Sequence, residues 1–566
     1  MIRGINIYRF YFRNFWFKSL ILFLLLILQS IILISSVFIL VPLIEFFIDN
    51  DLSNPTFITK SFINLLSILN INVSLGIIIL FFIVINFFKS FLFTAVSFFI
   101  ISIKYSIYKS ILENLLKSIL YVRWTFFYKT DHSKLLNTVN NEAKTAASSL
   151  ADVITQVALL FRILAYLVTP IYLDFKLTVS TIFISLIFAL PIYFSNKISF
   201  KLGKIQLNSA NEKIGFLNQT LQSAKLILGF GIQKSIIDKN LNILKTHINA
   251  SLKSVTLQTF VENIFQPLAI TALSISIFYF YSNNSIINLP AILWSLIAAV
   301  PLISGFLKGN NVINSLLPSF EQISEIVEIS KKYSQKIDNK ITINDFNNSI
   351  CFNNVSYSYD NKKTIYNNVD LKFQQGKTIL IKGESGTGKS TLIDIIMGLI
   401  KPDSGSIIID GIDYNEINFH SLRKIIGYVP QDPFLFDMSI KSNFKIFKSD
   451  ISENEIWNLL KIANIDDHVR SLPKKLDELV GSRGLKLSGG QRQRICFARS
   501  LVNNPKILIL DEATNSLDEE SEKNIYKSLS QLKNSITIFV ISHKNDIIMK
   551  YDETYLIDKN KIEKIN

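Results

Sequence analysis

An all-α membrane domain of six spans followed by an α/β domain is the fold class predicted by three features of this 566-residue sequence. Its composition divides near residue 325: Ile, Leu, Phe and Ser dominate before that point, and a soluble-type mixture follows it. The first part holds apolar runs longer than a bilayer requires. The second holds a glycine-rich loop set between a strand-like and a helix-like segment.

The membrane part comes first. Mean hydropathy is +0.33 with 44 Phe, and Ser19–Ile44 carries no charged residue over 26 positions, beyond the ~20 that a helix needs to cross hydrocarbon. That run is much longer than the ~7–15 residues of a signal-peptide core, so it is expected to be retained. Six spans fit best, at roughly 19–46, 72–103, 147–171, 175–196, 256–281 and 287–313. The stretches between the second and third and between the fourth and fifth keep helical periodicity, as in Ile111, Leu115 and Ile119 or Leu217 and Leu221. These helices are therefore expected to run on beyond the bilayer and turn back in pairs. Between the first two spans, residues 59–69 are amphipathic and fit either a short helix in the outer interface or the start of an extended second span.

The net charge of +15 is distributed as membrane insertion requires. Basic residues crowd one set of loops (Arg3, Arg9, Arg13 and Lys18; Lys104–Lys144; Lys197–Lys253), and the opposite loops are acidic or neutral. This positive-inside asymmetry puts both termini in the cytoplasm and argues against a nucleic-acid partner. Three cations fall inside or near spans: Lys89, Arg162 and Lys308. Lys89 has long uncharged flanks. It either lines a cavity, where it would hold a phosphate or carboxylate, or is neutralised by snorkelling or by an ion pair, with Glu262 a candidate partner. Arg162 and Lys308 are expected nearer span ends, where snorkelling fits. Two cysteines, Cys351 and Cys496, give no disulfide framework and suit a reducing compartment.

A polar stretch at 326–347 is expected to be a linker, leaving 348–566 as the second domain. After the apolar strand Thr378–Ile381 comes Gly383-Glu384-Ser385-Gly386-Thr387-Gly388-Lys389-Ser390, and a helix opens at Thr391. This is a phosphate-binding loop in its proper strand–loop–helix setting: backbone N–H groups wrap nucleotide phosphates, Lys389 reaches the β/γ-phosphates, and Ser390 holds Mg²⁺. Ile507–Leu510 is an apolar strand of the kind buried on both faces of a parallel sheet, and it ends in Asp511 and Glu512. Asp511 there suits a Mg²⁺ ligand, and Glu512 is placed to polarise the attacking water.

About a hundred positions after the phosphate loop lies Leu487-Ser488-Gly489-Gly490-Gln491. With that signature the chain resembles the ABC (ATP-binding cassette) family, loosely in the spans and tightly over Tyr359–His543. The resemblance implies a membrane all-α six-helix exporter domain followed by an α/β P-loop NTPase domain of the ABC ATPase type, with ATP and Mg²⁺ as cofactors. It also implies that two cassettes sandwich ATP between the loop of one and Ser488–Gln491 of the other. Tyr359 matches the adenine-stacking position and Gln431 the residue that reaches Mg²⁺ or the attacking water. Asp518 matches the loop that crosses to the partner, and His543 the γ-phosphate switch. Intracellular turns would fall near Tyr121–Phe127 and Ala224–Gly231. Ser482 stands where the family commonly has Glu, which puts one contact with the membrane domain in doubt.

The resemblance implies a half-size exporter acting as a homodimer, or as a heterodimer with a second half-transporter, in a bacterial inner membrane with its ATPase domain cytoplasmic. Its layout resembles the bacterial lipid-linked oligosaccharide flippases in the external segment at 59–69, the basic Lys89 and the total length. A lipid-linked anionic substrate is therefore expected, with lipids, peptides or drugs as the alternative cargo. The absence of a protease-like segment before the spans weighs against leader-cleaving peptide exporters. An ATP-gated channel or receptor is a rival of another class, disfavoured because Glu512 and His543 are hydrolytic groups. A soluble ATPase acting on DNA or ribosomes is excluded by the spans, and importers of this family generally keep the two domains on separate chains.

Overall fold

The computed structural model describes residues 16–48, 55–68, 71–280, 289–334, 340–359, 363–513, 519–532, 535–542, 551–558 and 561–565. The chain divides into two compact units, Met1–Val122 with Phe126–Ser334, and Gln335–Asn566 with Arg123–Thr125.

The first unit is helical because hydrocarbon supplies no partner for backbone N–H and C=O groups, and a helix satisfies them within one segment. Six helices are long and apolar enough to cross a membrane: α1 (Trp16–Phe47), α3 (Leu75–Leu120), α4 (His132–Leu173), α5 (Phe175–Gln222), α7 (Gln233–Tyr279) and α8 (Leu289–Tyr333). Between them lie α2 (Phe57–Ile68) and α6 (Ala224–Phe230). The 46 residues of α3 and 48 of α5 exceed a bilayer span, so these helices continue well past the hydrocarbon. Helix α2 is separate from α3, which begins at Leu75 with Ser74 accepting the Ile77 N–H; residues 59–68 are therefore not the start of the second span. Asp174 caps α5 by accepting the Leu177 N–H at 3.0 Å, turning the chain between α4 and α5. Gly231 closes α6 at φ +68°, a conformation that costs glycine little. Helix α8 runs to Tyr333, into the stretch expected as linker, because Ile326 and Ser330 still face a neighbouring surface and are buried.

Helix α4 packs along α8, α5 along α7 and α8, and α1 against α3 and α4. At one level the contact is polar. Helix α4 carries a single π turn at Thr138–Glu142, and around it a buried network joins three helices. The Asn137 amide donates to Glu142 (2.9 Å) and to Asn211 (2.7 Å), and Asn211 donates to Gln322 (2.8 Å). Gln322 donates to Thr138 (2.7 Å), and Ser319 donates to Glu142 (2.5 Å). Glu142, Asn137, Thr138 and Gln322 are all buried, so each bond replaces a desolvation penalty.

The intramembrane cations depart from expectation. Glu262 pairs with Lys308 at 2.6 Å, not with Lys89. Arg162 does not snorkel: its Nε donates to Gln29 Oε1 at 3.2 Å and its guanidinium lies 4.1 Å from the centre of the Phe93 ring. It lies in the middle of α4's apolar stretch and takes its partners from α1 and α3. Lys89 is half-buried on α3, and no hydrogen bond or salt bridge engages it among the described residues.

The second unit holds two sheets. A six-stranded sheet runs in the order β10-β9-β3-β8-β7-β6, where β3 is Thr378–Gly383, β6 Ile426–Val429, β7 Ile507–Asp511, β8 Thr537–Ile541, β9 Glu553–Asp558 and β10 Lys561–Lys564. Its strands are parallel except for β10 at the edge. An antiparallel sheet of β1 (Ser349–Tyr359), β2 (Lys363–Gln374), β4 (Ser404–Ile409) and β5 (Ile412–Asp413) lies beside it in the order β2-β1-β4-β5. Every residue of β7 and β8 is buried, as the apolar runs Ile507–Leu510 and Ile538–Ile541 predict.

Gln322→Leu leaves the Asn211 amide N–H without its acceptor and removes one partner of Thr138. We expect the purified protein to lose about 1–3 kcal/mol of stability, read as a lower melting temperature in detergent.

Candidate ATP site

Parallel pairing sets the site. Ile381 of β3 and Asp511 of β7 both stand opposite Ile541 of β8, and Val429 of β6 stands opposite Leu510. The loops leaving these strands therefore share one edge, the carboxyl end where α/β sheets bind ligands. Gly383–Gly388 leave β3 there and lead into α9 (Lys389–Ile396). Gly388 is the tightest point: it has φ +115°, and a Cβ would come within 2.5 Å of Ile365. Its carbonyl accepts the Tyr366 hydroxyl, which fixes the end of the loop. Thr387 Oγ donates to the Glu384 carbonyl at 2.9 Å.

Lys389 is buried and donates to the carbonyls of Gly383 (2.9 Å) and Glu384 (2.8 Å), so its ammonium sits inside the loop. Burial lowers its pKa, opposed by the charges of Glu512 and Asp511. Ser390 and the Ser385–Gly386 tip are exposed, and Thr391 is buried with its hydroxyl 3.2 Å from that of Tyr359. Tyr359, half-buried against the core, is thus tied to the first turn of α9.

Asp511 is buried, and burial pushes its carboxyl up; Tyr428 counters this by donating to Oδ2 at 3.3 Å, and the neighbouring Glu512 charge adds to the rise. Glu512 adopts φ +49°, and its Oε2 accepts a 2.8 Å bond from Gln431. Lys389, Gln431, Asp511 and Glu512 therefore converge. A buried, poorly solvated carboxylate suits a hard divalent cation, so Asp511 fits Mg²⁺, and the exposed Ser390 hydroxyl at the start of α9 offers a neutral oxygen beside it. The signature residues stand elsewhere: Ser488 caps α11 (Gly489–Ser500; α10 being Glu453–Ile462), its Oγ accepting from Gln491 N at 3.2 Å while Gln491 Oε1 accepts from Ser488 N at 2.9 Å. This capping box leaves Gly489 and Gly490 heading the helix with N–H groups that have no intrahelical acceptor. No hydrogen bond joins Ser488–Gln491 to the phosphate loop among the described residues. Asp518 and His543 lie outside the described residues; Ser542, which precedes His543, follows β8 at the same edge.

Sequence reasoning missed Tyr366, Tyr428 and Asp394. Asp394 lies on α9, and its carboxyl is pushed up to about 7 by burial and by the charge of Asp511. No motif marks these residues, because their roles come from neighbouring strands.

A glycine-rich loop, a paired acid at a strand end and a helix capped by Ser488 define a nucleotide-binding ATPase unit, joined on one chain to six membrane-length helices. Comparison with known proteins agrees with this. The ABC transporter pattern matches residues 366–515, and the ABC transporter transmembrane region matches residues 19–292. The heterocyst differentiation ATP-binding protein HepA of a Nostoc species is 30% identical over 450 residues, 78% of this chain and 73% of that protein. The ATP-dependent lipid A-core flippase of Desulfotalea psychrophila is 29% identical over 446 residues, 77% of each chain. A bacterial Atm1-family ABC exporter with ATP bound shares the fold, with a TM-score of 0.81, 20% identity, and coverage of 97% of this chain and 94% of that one. The chain belongs to the ABC transporter family. It is an integral membrane protein and an ATP-hydrolysing transporter with the fold of an ABC exporter.

Gly388→Ala forces a Cβ into Ile365 at an unfavourable φ; nucleotide affinity, measured by binding of a fluorescent ATP analogue, should fall by about tenfold or more. Asp394 makes stability depend on pH. Its folded pKa of about 7 lies above the unfolded value, so its burial costs nothing below pH ~4 and costs increasingly up to pH ~7. Asp394→Asn should therefore raise the melting temperature at pH 8, by up to roughly 4 kcal/mol of stability, and have no effect near pH 4.

Proposed function

We propose that this transporter is a flippase for an anionic, lipid-linked substrate, working by alternating access as a homodimer in a bacterial inner membrane with its ATPase units in the cytoplasm. The observation that carries the hydrolytic part is the convergence of Lys389, Gln431, Asp511 and Glu512 on one sheet edge. The substrate part is supported by Lys89, a half-buried cation in a long apolar helix with no partner among the described residues. The likeness to a lipid A-core flippase supports it further.

ATP lies with its phosphates along Gly383–Ser390 and Thr391 and its adenine against Tyr359. Lys389 binds the β/γ-phosphates, and Gln431 and His543 orient the attacking water and the γ-phosphate. Glu512 holds the water's proton as general base. Mg²⁺, held by Ser390, Asp511 and Gln431, would neutralise charge on the phosphates. Ser488–Gln491 and Asp518 of the partner subunit complete the site. Their helix N-terminus offers N–H donors to the γ-phosphate only when the two cassettes close. ATP binds the closed pair more tightly than the open pair, and that difference drives the cavity outward.

The test is ATPase activity of the purified protein in lipid, with polyprenyl-linked phosphosugars added. Glu512→Gln should lower hydrolysis by about 10²–10⁴-fold, and Lys89→Ala should blunt stimulation by the lipid-linked sugar while leaving nucleotide affinity intact. Hydrolysis stimulated by drugs or peptides and indifferent to lipid-linked sugars would discard this cargo.

A further inference from the structure

Arg162 lies in the middle of α4's apolar stretch, between Phe161 and Ile163, on a helix that the family membership places in the membrane. A guanidinium at that depth costs at least about 2.5–3.5 kcal/mol on insertion scales, so its surroundings are expected to compensate it. They do so only in part. Nε donates to Gln29 Oε1 at 3.2 Å, and the plane lies over Phe93 at 4.1 Å. No carboxylate forms a salt bridge with it among the described residues, and no further hydrogen bond engages its remaining N–H groups.

Gln29 sharpens the picture. It is fully buried, and while Oε1 accepts from Arg162, its Nε2 is a buried donor with no partner. Tyr166, one turn along α4, adds a third polar side chain on the same face of the helix. Phe93 is also one turn from Lys89 on α3, so a second cation without a described partner stands on the same face. The cluster is rich in donors and positive charge and, among the described residues, holds no negative charge. An anion would supply what it lacks.

We propose that Arg162 and Gln29 form a phosphate-binding site inside the membrane unit, built by α1, α3 and α4 of one chain. The planar fork of Arg162 matches two phosphate oxygens at once, with Phe93 holding its plane, and Gln29 Nε2 donates alongside. The hydrocarbon around the cluster makes the contact strong and selects a phosphate carried on a lipid, although a free phosphate ion has the same recognition chemistry. This inference needs only that the chain spans a membrane; it does not depend on the flippase reading or on Lys89.

The experiment uses the full-length transporter in phosphatidylcholine nanodiscs, titrated with phosphatidic acid and, in a separate arm, with inorganic phosphate. Retained lipid is counted by native mass spectrometry. We expect the wild type to retain phosphatidic acid, with Arg162→Gln and Gln29→Leu each weakening retention by about tenfold or more and Arg162→Lys falling between. Competition by inorganic phosphate at matched concentration identifies the site as one for the free ion; its absence identifies the lipid. Undiminished retention in Arg162→Gln overturns the proposal. So does retention lost only in Lys89→Ala, which would leave the flippase reading standing. If Arg162→Gln fails to fold, Gln29→Leu decides: full retention there marks Arg162 as a purely structural bolt.

Discussion

Hydrocarbon offers no hydrogen-bond partner, and the whole first unit follows from that constraint. A segment that enters a bilayer must pair its own backbone, so it becomes a helix, and its side chains are then sorted by whether they can be left unpaired. Apolar residues can face lipid, and many large ones on α3 and α5 stand exposed on the surface of the chain, such as Phe87 and Phe183. Polar residues cannot, and they are gathered between helices, Lys308 with Glu262 and Arg162 with Gln29; the larger network of Asn137, Glu142, Asn211, Ser319 and Gln322 ties the same helices together on their extensions, past the expected spans. Without a hydrophobic force to draw one apolar helix to another, such contacts also specify which helices are neighbours.

The ATPase unit obeys the opposite logic. Water surrounds it, so the apolar strands β7 and β8 go inside, and the polar chemistry is left where they stop. Buried strands make a rigid edge, which lets Asp511 and Glu512 be held against Lys389 and Gln431 without flexible supports. Some of the supporting groups are themselves strained by their position. Asp394 and Asp511 are both poorly solvated, and the charge of Asp511 raises the affinity of Asp394 for its proton. A site that concentrates negative charge in this way is prepared for cations before any arrives.

Much of this was legible in the sequence, for physical reasons that also mark the limits. Long uncharged runs located the membrane helices, and the apolar runs Ile507–Leu510 and Ile538–Ile541 located β7 and β8, because burial on both faces favours such a composition. The phosphate loop was readable because only glycine tolerates the backbone at Gly388. Partner choice was not readable. Gln29 and Arg162 are 133 residues apart, and Lys308 and Glu262 are 46 apart. A helix that is apolar all round has no amphipathic face from which to infer its neighbour. The same blindness assigned Glu262 to Lys89 and sent Arg162 toward the membrane surface. Tyr428 escaped notice because its hydroxyl matters only once β6 lies beside β7.

The π turn at Thr138–Glu142 has an effect beyond the bonds it holds. A π turn accommodates one more residue than an α turn, and one residue is worth roughly 100° of rotation about the helix axis. The turn takes up that residue without breaking the apolar stripe of α4: Leu135 and Val139, and beyond them Ala143, Ala147, Leu150 and Ile154, all reach one core, while Asn137 is left aimed at Asn211 of α5. The extra residue works as a phase adjustment, keeping one face of the rod on its core through the turn. Deleting any one residue of that turn would keep the helix and its hydrophobicity, yet put the two halves out of phase with the helices they serve.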